Sequence, residues 1–543
     1  MEQTEKKLIF LSNLFQHLDG IVLIPTILEL QTHQILDYIK SQKKCALSEL
    51  THKYHANPGY LNVALRLLCS QGILTQKMEE DDIFFIDSML TNWMSLKIES
   101  KYQMIEELYR KEINYKSIIT DTKNSNISEP HLYAILEEYI KWKKLDDQKN
   151  KSEGMPINDK WANWRIHIEG AVLGPIIVLL SRNNVFDGIV KGSTIEIPGH
   201  PKWKEILIKL FLSCNIINED SALTEYGYFL LKRATSYGVT VSYLPTFKSL
   251  NHLIYGNHRF LTTKSKKEAE IHVDRAMNVW GSGGAHNTYF KKVDKIILDL
   301  FNLPIEEQPK GFIDIGCGNG KLIEHVFDLI YYKTKRGQLL KEHPLFIVGS
   351  DFNYQALEAT TETINKADIW AKTAFGDISD PASLAKRLKE EHSINLVDLL
   401  NVRSFLDHNR IYESPKKENK DKSASTGAFC YQGSRLQNNA VEQNLKEHLQ
   451  KWYPYLTKYG LLIVELHTID PVISAKNIGK TAITAYDASH GFSDQYIIEY
   501  NLFLKKALEI GLVPDPSHEY TFPSKEIPIV SINRLIATNP KYA

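Results

Sequence analysis

At 543 residues the chain has room for three or four domains of roughly 100 to 200 residues each, and its 43% hydrophobic and 24% charged content is ordinary for a soluble globular protein with large buried cores. Lysine plus arginine and aspartate plus glutamate each number 65, so the formal charge is zero. No overall basic field exists to recruit nucleic acid or an anionic membrane surface, and neither is an expected partner.

Taken in chain order, Met1–Lys7 mixes acidic and basic residues, and the apolar stretch that follows is broken by His17 and Asp19. It matches neither a signal peptide nor a membrane span. Cys45, Cys69, Cys214, Cys317 and Cys430 lie far apart without a CxxC pair, which suits a reducing compartment, so a cytoplasmic protein is expected. A weak internal repeat follows: GIVLIPTILELQTHQILDYI from Gly20 matches GAVLGPIIVLLSRNNVFDGI from Gly170, with Gly, Val-Leu, Pro and Asp in register. Each copy reads as a helix, and each is followed by a second apolar helical pattern, from Leu61 and from Trp203, and then by a short polar-aromatic stretch. The order helix, helix, small hairpin predicts a winged-helix-like unit occurring twice, at 1–148 and 157–262. Neither second helix is notably basic, so dimerisation into a homodimer or covering of a substrate is the expected role rather than DNA binding. LDDQKNKSEGMP from Leu145 reads as a linker, TTKSKKEAEIH after Leu261 as a charged transition, and GSGGAHNTYF from Gly281 as a flexible lead-in. A connecting segment is thus expected at 263–284.

From 285 to 543 helices alternate with the short apolar runs GFIDIG, PLFIVGSD, LVDLLNV and GLLIVELHT. That alternation predicts an α/β domain, a Rossmann-like doubly wound and mainly parallel sheet. KKENKDKSAST from Lys416 lacks the residues to pack a core and is expected to be a mobile loop, placed to act as a lid. Ser493 is expected to cap the last long helix, with Asp494 and Gln495 in its first turn.

The strand Phe312–Ile315 runs into Gly316, Gly318 and Gly320 and then into a helix, an arrangement that lets backbone N–H groups approach a ligand closely. A glycine turn alone also suits a dinucleotide. Asp314 sits within the motif where a carboxylate meets a cofactor ammonium, Asp351 ends the next strand where both ribose hydroxyls are accepted, and Asp377 with Ile378 falls where an adenine amino group and ring are held. Asn401, in the strand LVDLLNV, completes the cofactor set. Three acids at three successive strand ends resemble the class I methyltransferase pattern, which implies S-adenosylmethionine as cofactor.

Ligands in such sheets lie at the carboxyl ends of the strands. Arg403, Asp407, His408 and Arg410 follow the strand LVDLLNV, His467 follows GLLIVEL, and His490 and Gln495 come after. Taken singly these residues make a polar lining with His467 as general base; taken together, imidazoles with oxygen donors also suit a mononuclear Fe or Mn ion. The segments LDHNR, VELHT and HGFSDQYIIE, with the long helical N-terminal region, resemble the metal-dependent C-methyltransferases of polyketide starter modules. The likeness covers most of the chain and is sharpest from Gly281 onward. It implies a malonyl-type substrate on an acyl carrier protein, methylated at its acidic central carbon. Metal ligation would come from His467 and Gln495 with His408 or His490 as a third ligand, and Arg403 or Arg410 would pair the free carboxylate beside Asp407. With no carrier-protein Ser motif of its own, the chain is expected to act in trans. The rival expectation is a metal-free small-molecule O-methyltransferase with a winged-helix dimerisation domain, and a DNA-binding, cofactor-sensing regulator is a more distant one.

Overall fold

The computed structural model describes residues 3–79, 81–123, 126–153, 163–261 and 270–538. The chain divides into two compact units: Met1–Thr263, Ala269–Gly284 and Pro471–Ser493 form the first, while Ala285–Asp470 and Asp494–Ala543 make up nearly all of the second.

In the first unit the two repeat segments become the helices Gln3–Thr32 and Asn163–Arg182, each with an internal proline, Pro25 and Pro175. A proline inside a helix removes the donor that the carbonyl four residues back would use. At Pro25 that orphaned carbonyl belongs to Ile21, and the Tyr109 hydroxyl donates to it at 3.0 Å. Both helices are long and apolar enough to cross a membrane, but they are largely buried against the rest of their own unit. Glycine sets how closely they approach: a Cβ on Gly20 would lie 2.3 Å from His167 Cα, and one on Gly170 2.3 Å from His17 Cα.

After the first repeat helix come the helices Leu47–Tyr54 and Pro58–Ser70 and an antiparallel sheet of β1 (Lys44–Ala46), β2 (Leu74–Glu79) and β3 (Asp82–Asp87), in the order β1-β3-β2. This is a winged helix. In the second copy the helix Pro201–Ser213 is followed only by isolated bridges, Thr194 to Ala222 and Ile217 to Leu223. Thr224 opens the next helix there, its hydroxyl accepting from Gly227 N at 2.9 Å.

Other local expectations give way to packing. The stretch from Leu145 extends the helix Pro130–Glu153, pinned where Arg165 Nη2 donates to Asp146 Oδ1 at 3.1 Å; residues 154–162 and the charged transition at 262–269 lie outside the described residues. GSGGAHNTYF is not a flexible lead-in but part of the helix Arg275–Phe301. A Cβ on Gly281 would lie 2.6 Å from Val239 N, so that glycine permits close packing. Pro471–Ser493 joins the first unit through the buried Arg66–Asp487 ion pair and a Ser70 to Thr484 hydroxyl contact of 2.9 Å.

The second unit is built on seven strands: β4 (Gly311–Ile315), β5 (Phe346–Asp351), β6 (Lys372–Phe375), β7 (Leu399–Ser404), β8 (Leu461–Leu466), β9 (Leu512–Pro523) and β10 (Pro528–Ala537). Their order is β9-β10-β8-β7-β4-β5-β6. β6, β5, β4, β7 and β8 pair in parallel, and β10 and β9 add an antiparallel edge beyond β8. Strand residues such as Ile313, Val348, Leu399 and Ile463 are buried in one core with Val441, Leu445, Leu449 and Trp452 of the helix Asn438–Leu456. This is the class I methyltransferase Rossmann-like sheet.

Two expectations for this unit change. Ser493 does not cap the last helix, which spans Tyr500–Leu508. Asp494 takes a left-handed φ of 54°, its carboxylate accepts from Gln432 N at 2.9 Å, and Tyr496 N donates to His408 O at 2.8 Å, so the chain is held extended before the helix starts. The segment from Lys416 has no regular structure, but Glu447 accepts from Lys416 N at 2.9 Å and Glu499 from Thr426 N at 2.7 Å. It is a strapped loop rather than a free one.

Candidate active site

The glycine turn follows β4 directly. Gly316, Gly318 and Gly320 all have positive φ, a region that side-chain-bearing residues rarely adopt. Gly318 is the open one: a Cβ there would meet nothing within 4 Å, whereas at Gly316 it would lie 2.9 Å from Leu406 Cδ2. Gly318 N donates to Asp351 Oδ2 at 3.2 Å and Asn353 N to Asp351 Oδ1 at 2.9 Å, tying the turn to the end of β5.

Asp314, one residue before the end of β4, is 2% exposed and its Oδ1 has no hydrogen-bond partner. Burial, reinforced by the neighbouring Asp351 charge, pushes its carboxyl up to about 7. Asp377 lies just past β6, its Oδ1 accepting from Ser379 N at 2.9 Å and Ser379 Oγ at 2.7 Å, and Trp452 Nε1 donates to the Ile378 carbonyl at 2.7 Å. Asn401 lies within β7 rather than at its end; its Nδ2 donates to Leu399 O at 3.3 Å and Tyr455 O at 3.4 Å. An orphaned buried carboxylate beside an open glycine turn fits the ammonium-bearing end of S-adenosylmethionine, and Asp351 and Asp377 occupy the next two strand ends.

The end of β7, which contains Arg403, and the turn that follows it are buried. Arg403 is fully buried, its Nη1 donates to Asp407 Oδ1 at 2.7 Å, and its guanidinium carbon stands 4.0 Å from the Trp452 ring centre. His448 Nε2 lies 3.0 Å from the same Asp407 oxygen. Burial opposes ionisation of Asp407, but Arg403 and then His448 outweigh it and hold the carboxyl well below the usual range. Arg410 spends its guanidinium internally, Nε on Asn444 Oδ1 at 2.7 Å and Nη1 on the Asp407 carbonyl at 2.9 Å, and burial pulls it down to about 10.

Two histidines face different partners. His467, at the end of β8, has Nδ1 3.0 Å from Ile498 O and Nε2 2.8 Å from Ser531 Oγ. A carbonyl only accepts, so Nδ1 carries the proton and Nε2 accepts from the serine. Burial, opposed by Glu465, pushes the imidazole down to about 4. His408 instead sets Nδ1 2.5 Å from Glu465 Oε1, and its backbone N donates to Glu465 Oε2 at 3.2 Å. Leu466 N donates to Oε1 at 2.7 Å, so the buried carboxylate is fixed on both oxygens. A carboxylate on Nδ1 selects the tautomer with the lone pair on Nε2, the arrangement of a general base with its orienting acid. Neither Glu465 nor His448 stood out in the sequence. Glu465 lies inside VELHT, next to the histidine singled out there, and only the meeting of β8 with the turn after β7 gives it a partner.

Of the donors expected for Fe or Mn, His467 has no ring nitrogen open to an ion. Among the described residues no three His, Cys, Asp or Glu side chains group to hold a metal. Both nitrogens of His467 are bonded within the protein, while the carboxylate on His408 Nδ1 puts that ring's lone pair on Nε2, the atom a metal would use, and His490 belongs to the first unit, where its Nδ1 lies 2.7 Å from Tyr486 O. Gln495 is buried on the extended stretch before the last helix.

Residues 270–533 match the family model described as AprA MT2-like domain, residues 10–76 the AprA N-terminal domain and residues 169–257 the AprA winged helix domain. No curated protein matches the chain. Among solved structures, the citrinin polyketide synthase CMeT domain is similar over 79% of this chain and 99% of its own, with 12% identity and a TM-score of 0.30. The CurJ carbon methyltransferase is similar over 82% and 96%, with 12% identity and a TM-score of 0.32. An O-methyltransferase family protein from Burkholderia thailandensis is similar over 68% and 95%, with 13% identity and a TM-score of 0.36.

Proposed function

Because the chain belongs to the AprA MT2-like methyltransferases and is an S-adenosylmethionine-dependent enzyme, we propose that it methylates the acidic central carbon of a malonyl-type acyl group on a carrier protein. The observation that carries the reading is the buried His408–Glu465 pair, a proton acceptor of the kind a carbon acid requires.

Asp314 holds the cofactor ammonium, Asp351 the ribose hydroxyls, and Asp377 with Ile378 the adenine, while the open face of Gly318 admits the backbone contact. The bound cofactor supplies an electrophilic methyl group. His408 Nε2 removes the proton from the carbon between the two carbonyls, and Glu465 stabilises the imidazolium that results. Arg403, whose Nε and Nη2 have no partner although the residue is fully buried, is the cation placed to offset negative charge at the end of the β7 strand. Arg410 is a positioning residue that holds the turn carrying His408. His467, with both nitrogens engaged, supports the same wall, and no step is assigned to a metal.

The test is methyl transfer from labelled cofactor to malonyl-loaded carrier protein, to the free acid and to hydroxylated aromatic acceptors, with elemental analysis of the purified enzyme. Carbon methylation of the loaded carrier, falling on the order of 10²–10⁴-fold in His408→Asn and Glu465→Gln with cofactor affinity unchanged, supports the proposal. Exclusive methylation of hydroxyl groups would replace it with the metal-free O-methyltransferase. About one equivalent of Fe or Mn, lost in His467→Ala, would restore the metal-assisted route.

A further inference from the structure

The helix Asn438–Leu456 grips the turn that carries His408 at two points, Asn444 and His448, which lie one helical turn apart on the same face. Asn444 Oδ1 accepts from Arg410 Nε at 2.7 Å on one side of His408, and His448 Nε2 meets Asp407 Oδ1 at 3.0 Å on the other. The His408 ring itself is directed to Glu465 of β8. Asp407 immediately precedes His408, so the place of its carboxylate fixes the peptide from which the His408 side chain departs.

That carboxylate is held by one oxygen only. Oδ1 takes both contacts, from Arg403 Nη1 at 2.7 Å and from His448, while the buried Oδ2 has no hydrogen-bond partner. Arg403 likewise leaves Nε and Nη2 unspent. A guanidinium and a carboxylate in contact favour a bidentate pair with two parallel hydrogen bonds, and the atoms for one are present here, yet the pair is single. A carboxylate only accepts, so His448 presents Nε2–H, and this donor on Oδ1 opposes rotation of the carboxylate towards the open N–H groups of Arg403. Arg403 lies four residues back, so its contact ties the turn only to the strand it leaves. His448 ties it to the helix.

We propose that His448 is a positioning residue for His408: its Nε2–H holds Asp407 on a single oxygen, which keeps the His408 ring on Glu465 and leaves Arg403 Nε and Nη2 open. The inference rests on the reading of His408 as the base. Without the donor, Asp407 turns onto Arg403 as a bidentate pair, the turn moves with it and the His408–Glu465 contact opens. Misplacing a reacting group by about 1 Å costs on the order of 10²-fold in rate.

The test uses the full chain with three variants: His448→Gln, whose amide N–H reaches as far as Nε2, His448→Asn, whose amide stops one methylene short, and His448→Leu, which fills the space without a donor. Nitrogen-15 spectra of histidine-labelled protein, taken without substrate, read the geometry. The His408 Nδ1–H signal, assigned by its loss in His408→Asn, should stay in place in His448→Gln and shift or vanish in the other two. Methyl transfer should follow the same order, with kcat down on the order of 10²-fold in His448→Asn and His448→Leu, most of it recovered in His448→Gln, and cofactor affinity unchanged in all three. A side chain that only filled space would favour leucine over glutamine. Should His448→Leu fail to fold, the glutamine and asparagine variants, alike in chemistry, carry the comparison. An unmoved His408 signal in His448→Asn, or wild-type kcat in His448→Leu, would overturn the proposal. Full activity in His408→Asn would remove the base reading and this inference with it, whereas an impaired His408→Asn beside an unaffected His448→Asn would overturn the inference alone.

Discussion

Replacing Asp314 by asparagine separates what a buried carboxylate does for the fold from what it does for the cofactor. Its carboxyl is pushed from 3.8 to about 7 by burial first and by Asp351 second. A pKa raised in the folded state means the native protein holds the proton between those two values while the unfolded chain releases it. Stability is then lost as pH rises through this window, by roughly 4 kcal/mol from the size of the shift. Asp314→Asn removes that penalty, so the cofactor-free variant should be more stable than wild type at pH 8 and similar to it at pH 4. Cofactor affinity should move the opposite way. Only the ionised carboxylate pairs the ammonium, so wild-type affinity should fall about tenfold per pH unit below about 7, and the variant should bind weakly with no such slope. Calorimetric titration from pH 5 to 8.5, paired with denaturant unfolding of the free protein, reads both effects. Equal wild-type affinity at pH 5.5 and pH 8, or a variant that keeps the wild-type slope, would refute the reasoning.

Gly20→Ala should lower stability by about 3 kcal/mol, because the new Cβ would sit 2.3 Å from backbone atoms of His167 that cannot rotate away; an unchanged unfolding midpoint would contradict the close helix crossing. His467 should behave as a stabilising group. Its folded-state value of about 4 lies below the unfolded 6.5, so the unfolded chain binds the extra proton and stability should fall by roughly 3 kcal/mol as pH drops across that interval. Acid unfolding of His467→Gln should lose that component, and an identical acid profile in the two proteins would argue against it.

The glycine turn and the acids at 314, 351 and 377 were legible in the sequence because each is a local signal: an apolar run, a turn residue and a carboxylate within a few positions of a strand end. The repeat was legible too, since Gly, Pro and the flanking apolar residues keep their spacing in both copies. Local reading failed where a distant partner decided the conformation. Glycines at 281–284 read as flexible because glycine is permissive, yet Gly281 is pressed against the 238–239 backbone inside a helix. Ser493 has the chemistry of a cap, but the stretch that follows is drawn out by contacts with His408 and Gln432.

The same division runs through the chemistry. Sequence alone determined the class of sheet, the place of the glycine turn and the two repeat helices containing Gly20 and Gly170, because these depend on periodicity and on the order of neighbours. Tertiary structure alone decided that His408 rather than His467 faces a carboxylate, and that Arg403, Asp407 and His448 form one buried cluster. A pairing between residues dozens of positions apart leaves no trace in local spacing, and the tautomer and charge of a buried side chain are set by which atoms the fold brings within about 3 Å of it.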